Sequence, residues 1–454
     1  MRRWSVGFVL VVLACVPVLL GRESGPQLLQ DTDTKALLET IRRENAPLSW
    51  FVQDWPLANH FYRPVSTLAF ELDSRLYGDN PAGFGWTNAL LCVAAVLLLF
   101  WFFRELTDDV VIATSGAVLF ALWNAHWSGW AAVLAACGSW LLLALMLLPG
   151  RRPWPAILAW LGAWFLASEL VGIRDLESRA LDWIPGRTAT IMTVFALIAL
   201  ASYCRFERLG AKRLSRADPG PLDPPATKGT SEAVERSGSS WLWLVLASLA
   251  TLLALGSYEQ AIMLPGALLA VAIYLRITGL RVRWAAHAVF WLALVAYFLI
   301  RGSLIGWERS GYQEQQFHSG GPASILFGIS EYLTPEAKPI WTYLMSVELN
   351  WSLLFITQFY QVIAAIGSTV AAAILIIRRW RLPLLGLGLS MLAILPMLWL
   401  NDFAHYHYWP MAMRALFVVA FAKLVGQQIV IAASRPALQA PPRQRPAPGS
   451  LPRP

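Results

Sequence analysis

Charge is scarce in this chain. Only 14% of its 454 residues are Asp, Glu, Lys or Arg, against roughly a quarter in soluble domains, and that shortage excludes an ordinary water-soluble globular fold. Cysteine is scarce too: Cys15, Cys92, Cys137 and Cys204 each lie inside an apolar stretch without metal-ligand spacing. They read as packing residues rather than a disulfide framework or a structural metal site. There is no Walker A loop, no Rossmann glycine pattern, no HExxH and no GxSxG, so the phosphate-cradling and hydrolytic chemistries carried by those motifs have no signature here. Charges deep within apolar stretches, as a proton relay would need, are also missing. Glu169, Arg301 and Arg414 fall near stretch ends, and the deeper Lys423 can snorkel to an interface.

What the chain has in quantity is hydrophobic length. Residues of hydrophobic type make up 57% of it, gathered in blocks near 4–20, 87–103, 110–124, 127–149, 154–172, 189–204, 241–257, 261–277, 285–305, 352–377, 382–400 and 409–432. Such blocks match the roughly 20 residues a helix needs to cross a hydrocarbon core, and a helix satisfies its own amides there. Its 23 tryptophans gather at block ends, among them Trp86, Trp101, Trp241, Trp284, Trp380 and Trp409, where amphipathic rings settle at a membrane interface. The expected fold is all-α, a polytopic membrane protein of about 12 spans. One transmembrane domain occupies 1–433, and a Pro- and Arg-rich cytoplasmic tail, 434–454, is expected to be disordered. The first block has a basic start at Arg2-Arg3 and ends at Leu20-Gly21-Arg22 without a small-residue cleavage pattern, so it reads as an uncleaved span.

Short basic turns at Arg151-Arg152, Arg281/Arg283 and Arg378-Arg379/Arg381 orient the chain by the positive-inside rule, with both termini in the cytoplasm. The excess positive charge therefore faces the cytoplasm, and no nucleic-acid partner is expected. Arg greatly outnumbers Lys, which points to a GC-rich bacterial source and hence to an inner (plasma) membrane. Two long segments then lie outside, 21–86 and 306–351. Leu28, Leu37, Leu38 and Ile41 give a helical stripe in 28–43, and Val65, Leu68, Ala69, Leu72 and Leu76 another in 64–77. Both suit interfacial helices with their polar faces outward. The cytoplasmic loop 205–240 is expected to be disordered.

Five polar clusters fall on the outer side in this threading. Asp31-Thr32-Asp33 offers a general base or a helix cap. Asp54, His60, Tyr62 and Arg63 lie within ten residues of one another, before a helix that Pro64 opens; the Arg63 fork suits phosphate oxygens. Asp182-Trp183 through Arg187 sits at a helix start, where charge and free amides can meet an anion. Glu259, in Tyr258-Glu259-Gln260, begins another helix. Asn401-Asp402 precedes His405, Tyr406, His407 and Tyr408, whose single His-x-His pair does not specify a metal site.

The run Phe61-Tyr62-Arg63-Pro64, the turn Gly78-Asp79-Asn80-Pro81-Ala82-Gly83 and the opening Thr87-Asn88 resemble the loop and second span of the GT-C superfamily of membrane glycosyltransferases. The similarity is to the protein O-mannosyltransferase-related branch, including its repeat-bearing members, although this chain carries no tetratricopeptide repeats. Trp183-Ile184-Pro185-Gly186-Arg187, Glu259 through Leu264-Pro265, and Tyr406-His407-Tyr408-Trp409-Pro410 match in the same order. The family's Lys before the Glu is Tyr258 here, and its adjacent acidic pair is spread as Asp31-Thr32-Asp33. The resemblance implies transfer of a sugar from a polyprenyl phosphate to an acceptor hydroxyl on a protein, lipid or glycan, with inversion, on the non-cytoplasmic face. Asp31 or Asp33 would be the base, Arg63 and Arg187 would meet the phosphate charge, and Asp54, His60, Tyr62 and Glu259 would complete the binding site. Membrane lipids are the other expected partner. No metal ligand set stands out, and a divalent cation is not indicated. The rival readings are a transporter or lipid flippase, which would place polar groups near the midplane, and an inactive relative.

Overall fold

The computed structural model describes residues 2–125, 182–217, 240–317 and 381–434 except 402, with single positions at 154, 155, 157, 166, 325 and 329. Every regular element among them is a helix, apart from an isolated antiparallel bridge between Phe317 and Leu400. We number the α-helices α1 (Arg2–Ala14), α2 (Val16–Leu20), α3 (Thr32–Glu44), α4 (Pro64–Tyr77), α5 (Pro81–Thr107), α6 (Val110–Trp123), α7 (Arg187–Ala217) and α8 (Trp241–Leu255). The rest are α9 (Leu264–Ile277), α10 (His287–Ile305), α11 (Gly311–Gln316), α12 (Arg381–Ile394) and α13 (Tyr408–Ala433).

Six helical stretches are long and apolar enough to cross a membrane: Arg3–Leu20, Pro81–Thr107, Arg187–Ala211, Glu259–Ile277, Trp284–Ile305 and Ala404–Ile431. The shorter apolar helices Val110–Trp123, Trp241–Leu255 and Arg381–Met397 coincide with further expected blocks. The expected spans 127–149, 154–172 and 352–377 lie outside the described residues, save for single positions in the second.

The chain divides into two compact units. The first comprises Met1–Ser128, Ile173–Leu333 and Trp380–Ala420, and everything that follows concerns it. Within it α5 packs on α6 and α7, α7 on α8, α1 on α6, and α9 on α12. Gly386 lets α12 lie against the α13 backbone, since a Cβ there would stand 2.4 Å from the Phe417 amide nitrogen. Cys15, Cys92 and Cys204 are buried free thiols. Of the second unit, Gly129–Gly172, Thr334–Arg379 and Phe421–Pro454, the described part is essentially the end of α13 and its following residue.

Local sequence accounts for the helix starts. Asp31 accepts the Thr34 amide at 3.1 Å to cap α3, Asn80 accepts Ala82 N before Pro81 opens α5, and Asp109 caps α6 through Val111 and Ile112. Leu37, Leu38 and Ile41 point from α3 into a core with Leu28, Trp50, Trp55, Phe70, Phe84 and Ile184, so the first expected stripe is the buried face, with Leu28 on a separate short 3-10 turn.

In α4 the expected stripe ends on the surface of the protein, the side that an interfacial helix turns to lipid. Leu72 and Leu76 are exposed, while Ser66, Thr67, Glu71 and Asp73 are buried beside Phe70. The buried polar groups are paired: Glu71 accepts from Trp50 Nε1 at 2.7 Å and Ser66 Oγ donates to the Ser257 carbonyl at 2.9 Å. Paired polar groups thus form the protein-facing side of this helix.

A difference from the expected disorder lies in 205–240. Helix α7 runs on through Ala217. Its turn at 205–207 is held by charge: Arg205 pairs with Glu105, and the buried Glu207 accepts from the Arg283 amide and Nε. Residues 218–239 and the tail beyond 434 lie outside the described residues.

Candidate active site

The loop before α4 is built by its own polar side chains. Asp54 accepts from the Trp55 and His60 amides at 2.7 and 3.0 Å, and Trp55 N bonds back to the Phe61 carbonyl. This tight closure holds Ala58 and His60 at φ of 50° and 61°, a left-handed conformation that costs a non-glycine residue free energy and is tolerated only where the surroundings impose it. Tyr62 anchors the loop from inside, donating its hydroxyl to the Phe51 carbonyl at 3.0 Å.

Arg63 then meets Glu259 because α4 docks on the turn after α8. Val65 N donates to the Gly256 carbonyl at 2.9 Å, and Gly256 permits the approach, since a Cβ there would lie 2.9 Å from Val65 Cγ2. The Arg63 fork grips Glu259 through Nε and Nη2, at 2.9 and 2.6 Å to Oε2. Three rings enclose the guanidinium, with centroids at 4.1 Å (Phe61), 4.6 Å (Tyr258) and 5.2 Å (Trp55), each attracting the cation through its π face. Burial opposes the Arg63 charge, yet Glu259 and the phenols of Tyr258 and Tyr406 hold its pKa above the ordinary value. Burial likewise pushes the Tyr258 phenol well above its usual range.

The pair opens into a cavity of 1140 Å³. All five polar clusters contribute to its wall: Asp33, Arg63, Trp183, Glu259 and His405 each line it. The segment after α10 forms one side and is strapped to the Asp54 loop. Ser310 Oγ donates to the Asn59 carbonyl at 3.0 Å, and Gln313 Nε2 and Arg301 Nη2 donate to the His60 carbonyl at 3.0 and 3.2 Å. The segment is held from the other side where Asn401 N donates to the Gln316 carbonyl. Leu395, Met397, Trp399, Ile262 and Met263 give the cavity an apolar flank.

The two candidate bases are placed differently. Asp31 uses Oδ2 to accept from the Thr34 amide and hydroxyl and from Trp183 Nε1 at 3.0 Å. Asp33, in the first turn of α3, lines the cavity. Its charge reaches Tyr312, whose phenol is raised first by burial and then by Asp33, with Arg63 acting in the opposite sense; Tyr312 thus lies within electrostatic reach of both.

Arg187 does not line this cavity. It is fully buried and donates to Asn88 Oδ1, Asp73 Oδ2 and the Phe84 carbonyl, while Thr87 donates to the other Asp73 oxygen. Asp54, His60 and Tyr62 shape the loop without lining the cavity, and Asp402 lies outside the described residues. Arg309, Tyr312 and Gln316 line it although no motif marks them, and so does Arg301, which the sequence shows only as a charge near the end of an apolar block. Arg309 is exposed, with its guanidinium 4.4 Å over the Phe317 ring. The signal available for them was only that a polar segment follows an apolar block. No family model, curated protein or solved structure matches the chain.

Proposed function

We propose that the chain is a GT-C-like membrane glycosyltransferase that moves a sugar from a polyprenyl-phosphate donor to an acceptor hydroxyl, with inversion, on the non-cytoplasmic face of an inner membrane. The observation that carries this reading is the convergence of a carboxylate, a paired arginine and an apolar flank on one cavity. In the proposed reaction Asp33 takes the proton of the acceptor hydroxyl as its oxygen attacks the anomeric carbon. The new C–O bond forms as the bond to phosphate oxygen breaks, and the electron pair leaves with the polyprenyl phosphate. Glu259 occupies Nε and Nη2 of Arg63, which leaves Nη1 to meet the developing phosphate charge, with Arg301 and Arg309 lining the same cavity. The apolar flank would take the first isoprenoid units.

The test is incubation of the protein in nanodiscs with polyprenyl phosphate carrying a radiolabelled hexose and a panel of acceptors. Transfer of label to an acceptor, lost in Asp33→Asn, is the expected result. Absence of transfer together with counterflow of a labelled solute in proteoliposomes would replace the enzyme with a transporter.

A further inference from the structure

Trp183 is a part of the cavity that the proposed reaction does not use. It is half-buried, it lines the wall together with Asp33, and its orientation is set at two points. Its indole N–H donates to Asp31 Oδ2 at 3.0 Å, and its ring lies against the His405 imidazole, centroids 5.1 Å apart. An indole fixed by its edge presents a π face of negative potential, which attracts the polarised C–H groups on one side of a pyranose ring.

A second observation is independent of the first. Asn59, nine-tenths buried, and Gln316 both line the same cavity, and Asn59 Oδ1 and Gln316 Oε1 have no hydrogen-bond partner among the described residues. A buried amide oxygen left in that condition carries the full cost of its lost hydration, so a site that keeps two of them lining one cavity is built for a ligand that brings donors. Ring hydroxyls are such donors.

We infer that the cavity holds a sugar-ring subsite for the acceptor, with Trp183 as its platform, Asp31 as the positioning residue that aims that platform, and Asn59 and Gln316 as hydroxyl acceptors. Trp183 bonds Asp31, two residues from the proposed base Asp33, which puts its ring on the side of the acceptor hydroxyl; the acceptor is accordingly a glycan or glycolipid rather than the serine or threonine of a peptide. This rests on the glycosyl-transfer reading for the word acceptor; the presence of a sugar-binding subsite does not. Asp31 and Asp33 then divide the work, one holding the ring that seats the acceptor and the other facing the hydroxyl to be activated.

The binding test uses Asp33→Asn protein in nanodiscs, free of glycoside detergent, probed with methyl hexopyranosides and with a Ser/Thr peptide by saturation-transfer NMR. The expected result is transfer to the ring C–H protons of at least one glycoside, reduced at least five-fold by adding Trp183→Ala and retained with Trp183→Phe. Asp31→Ala should weaken it and Asp31→Asn, which keeps an acceptor oxygen, should restore most of it. In the active protein Trp183→Ala should raise the acceptor KM about ten-fold while the donor KM holds. Equal glycoside signal with and without Trp183, no glycoside signal in any variant, or a peptide signal that depends on Trp183 would each overturn the inference. Glycoside binding through Trp183 without transfer from any polyprenyl-phosphate donor would leave the subsite standing and remove the reaction instead.

Discussion

Two arginines at the same end of the helices, Arg63 and Arg187, were expected from sequence to share one task, and the structure gives them different surroundings. Arg187 donates from Nε, Nη1 and Nη2 to protein oxygens on α4 and α5, and its side chain is 0% exposed, against 4% for Asp73. Arg63 spends only one edge of its fork on Glu259, and the pair is 11% and 22% exposed at the rim of the cavity. An arginine bonded through each of its three guanidinium nitrogens inside a core is a brace, whereas one with a nitrogen left beside open space can bind. Burial together with the partner list separates these roles, and residue type and helix-start position do not.

Substitution of Arg187 should have the strongest consequence. Arg187→Ala strands Asp73 in the core, and removing one partner of a buried ion pair costs about 3–5 kcal/mol. The expected outcome is loss of monodisperse protein on size exclusion and a large fall in thermal midpoint. A stable Arg187→Ala protein with only a raised donor KM would return Arg187 to the binding site. Next in size, Arg63→Ala should leave a folded protein whose transfer rate falls about 100-fold, the usual consequence of losing one donor aimed at developing charge; single-turnover assays read this directly. If Arg63→Ala instead aggregates, its pair with Glu259 is a brace as well. Glu259→Gln should have a smaller effect, about ten-fold or less in rate, because an amide still orients the Arg63 fork but no longer balances its charge. The smallest expected change is in Asp31→Asn. Loss of the charged cap costs about 1 kcal/mol or less, seen as a shift of a few degrees in melting with transfer largely preserved.

Much of this architecture was legible in the chain. Apolar blocks coincide with the six long helices and three shorter ones, and caps such as Asp31, Asn80 and Asp109 mark helix starts as their side chains dictate. The convergence of five separated clusters was legible only in part. Their common side followed from threading, but their common cavity depends on long-range contacts such as Val65 to Gly256 and Ser310 to Asn59. The protein-facing side of α4 was not legible, because Phe70, Leu72 and Leu76 are all apolar yet only Phe70 is buried, beside Ser66, Glu71 and Asp73, whose contacts with other elements fix the orientation. The conversion of Arg187 into a brace has the same origin. Thr87-Asn88 and Arg187, two stretches that carry the family resemblance, meet each other around Asp73, so part of that motif similarity reports helix packing rather than chemistry.

If the proposed reaction is right, the cavity bearing Asp33 and Arg63 is where the chemistry occurs. The most direct test is a side-by-side measurement of single-turnover sugar transfer by the wild type, Asp33→Asn and Asp31→Asn, each normalised to folded protein in nanodiscs. The expected fall is about 1000-fold for Asp33→Asn, within the range for loss of a general base, and less than about ten-fold for Asp31→Asn, in keeping with a cap and an aromatic support that an amide still serves. Full transfer by Asp33→Asn, or the larger loss in Asp31→Asn, would contradict it.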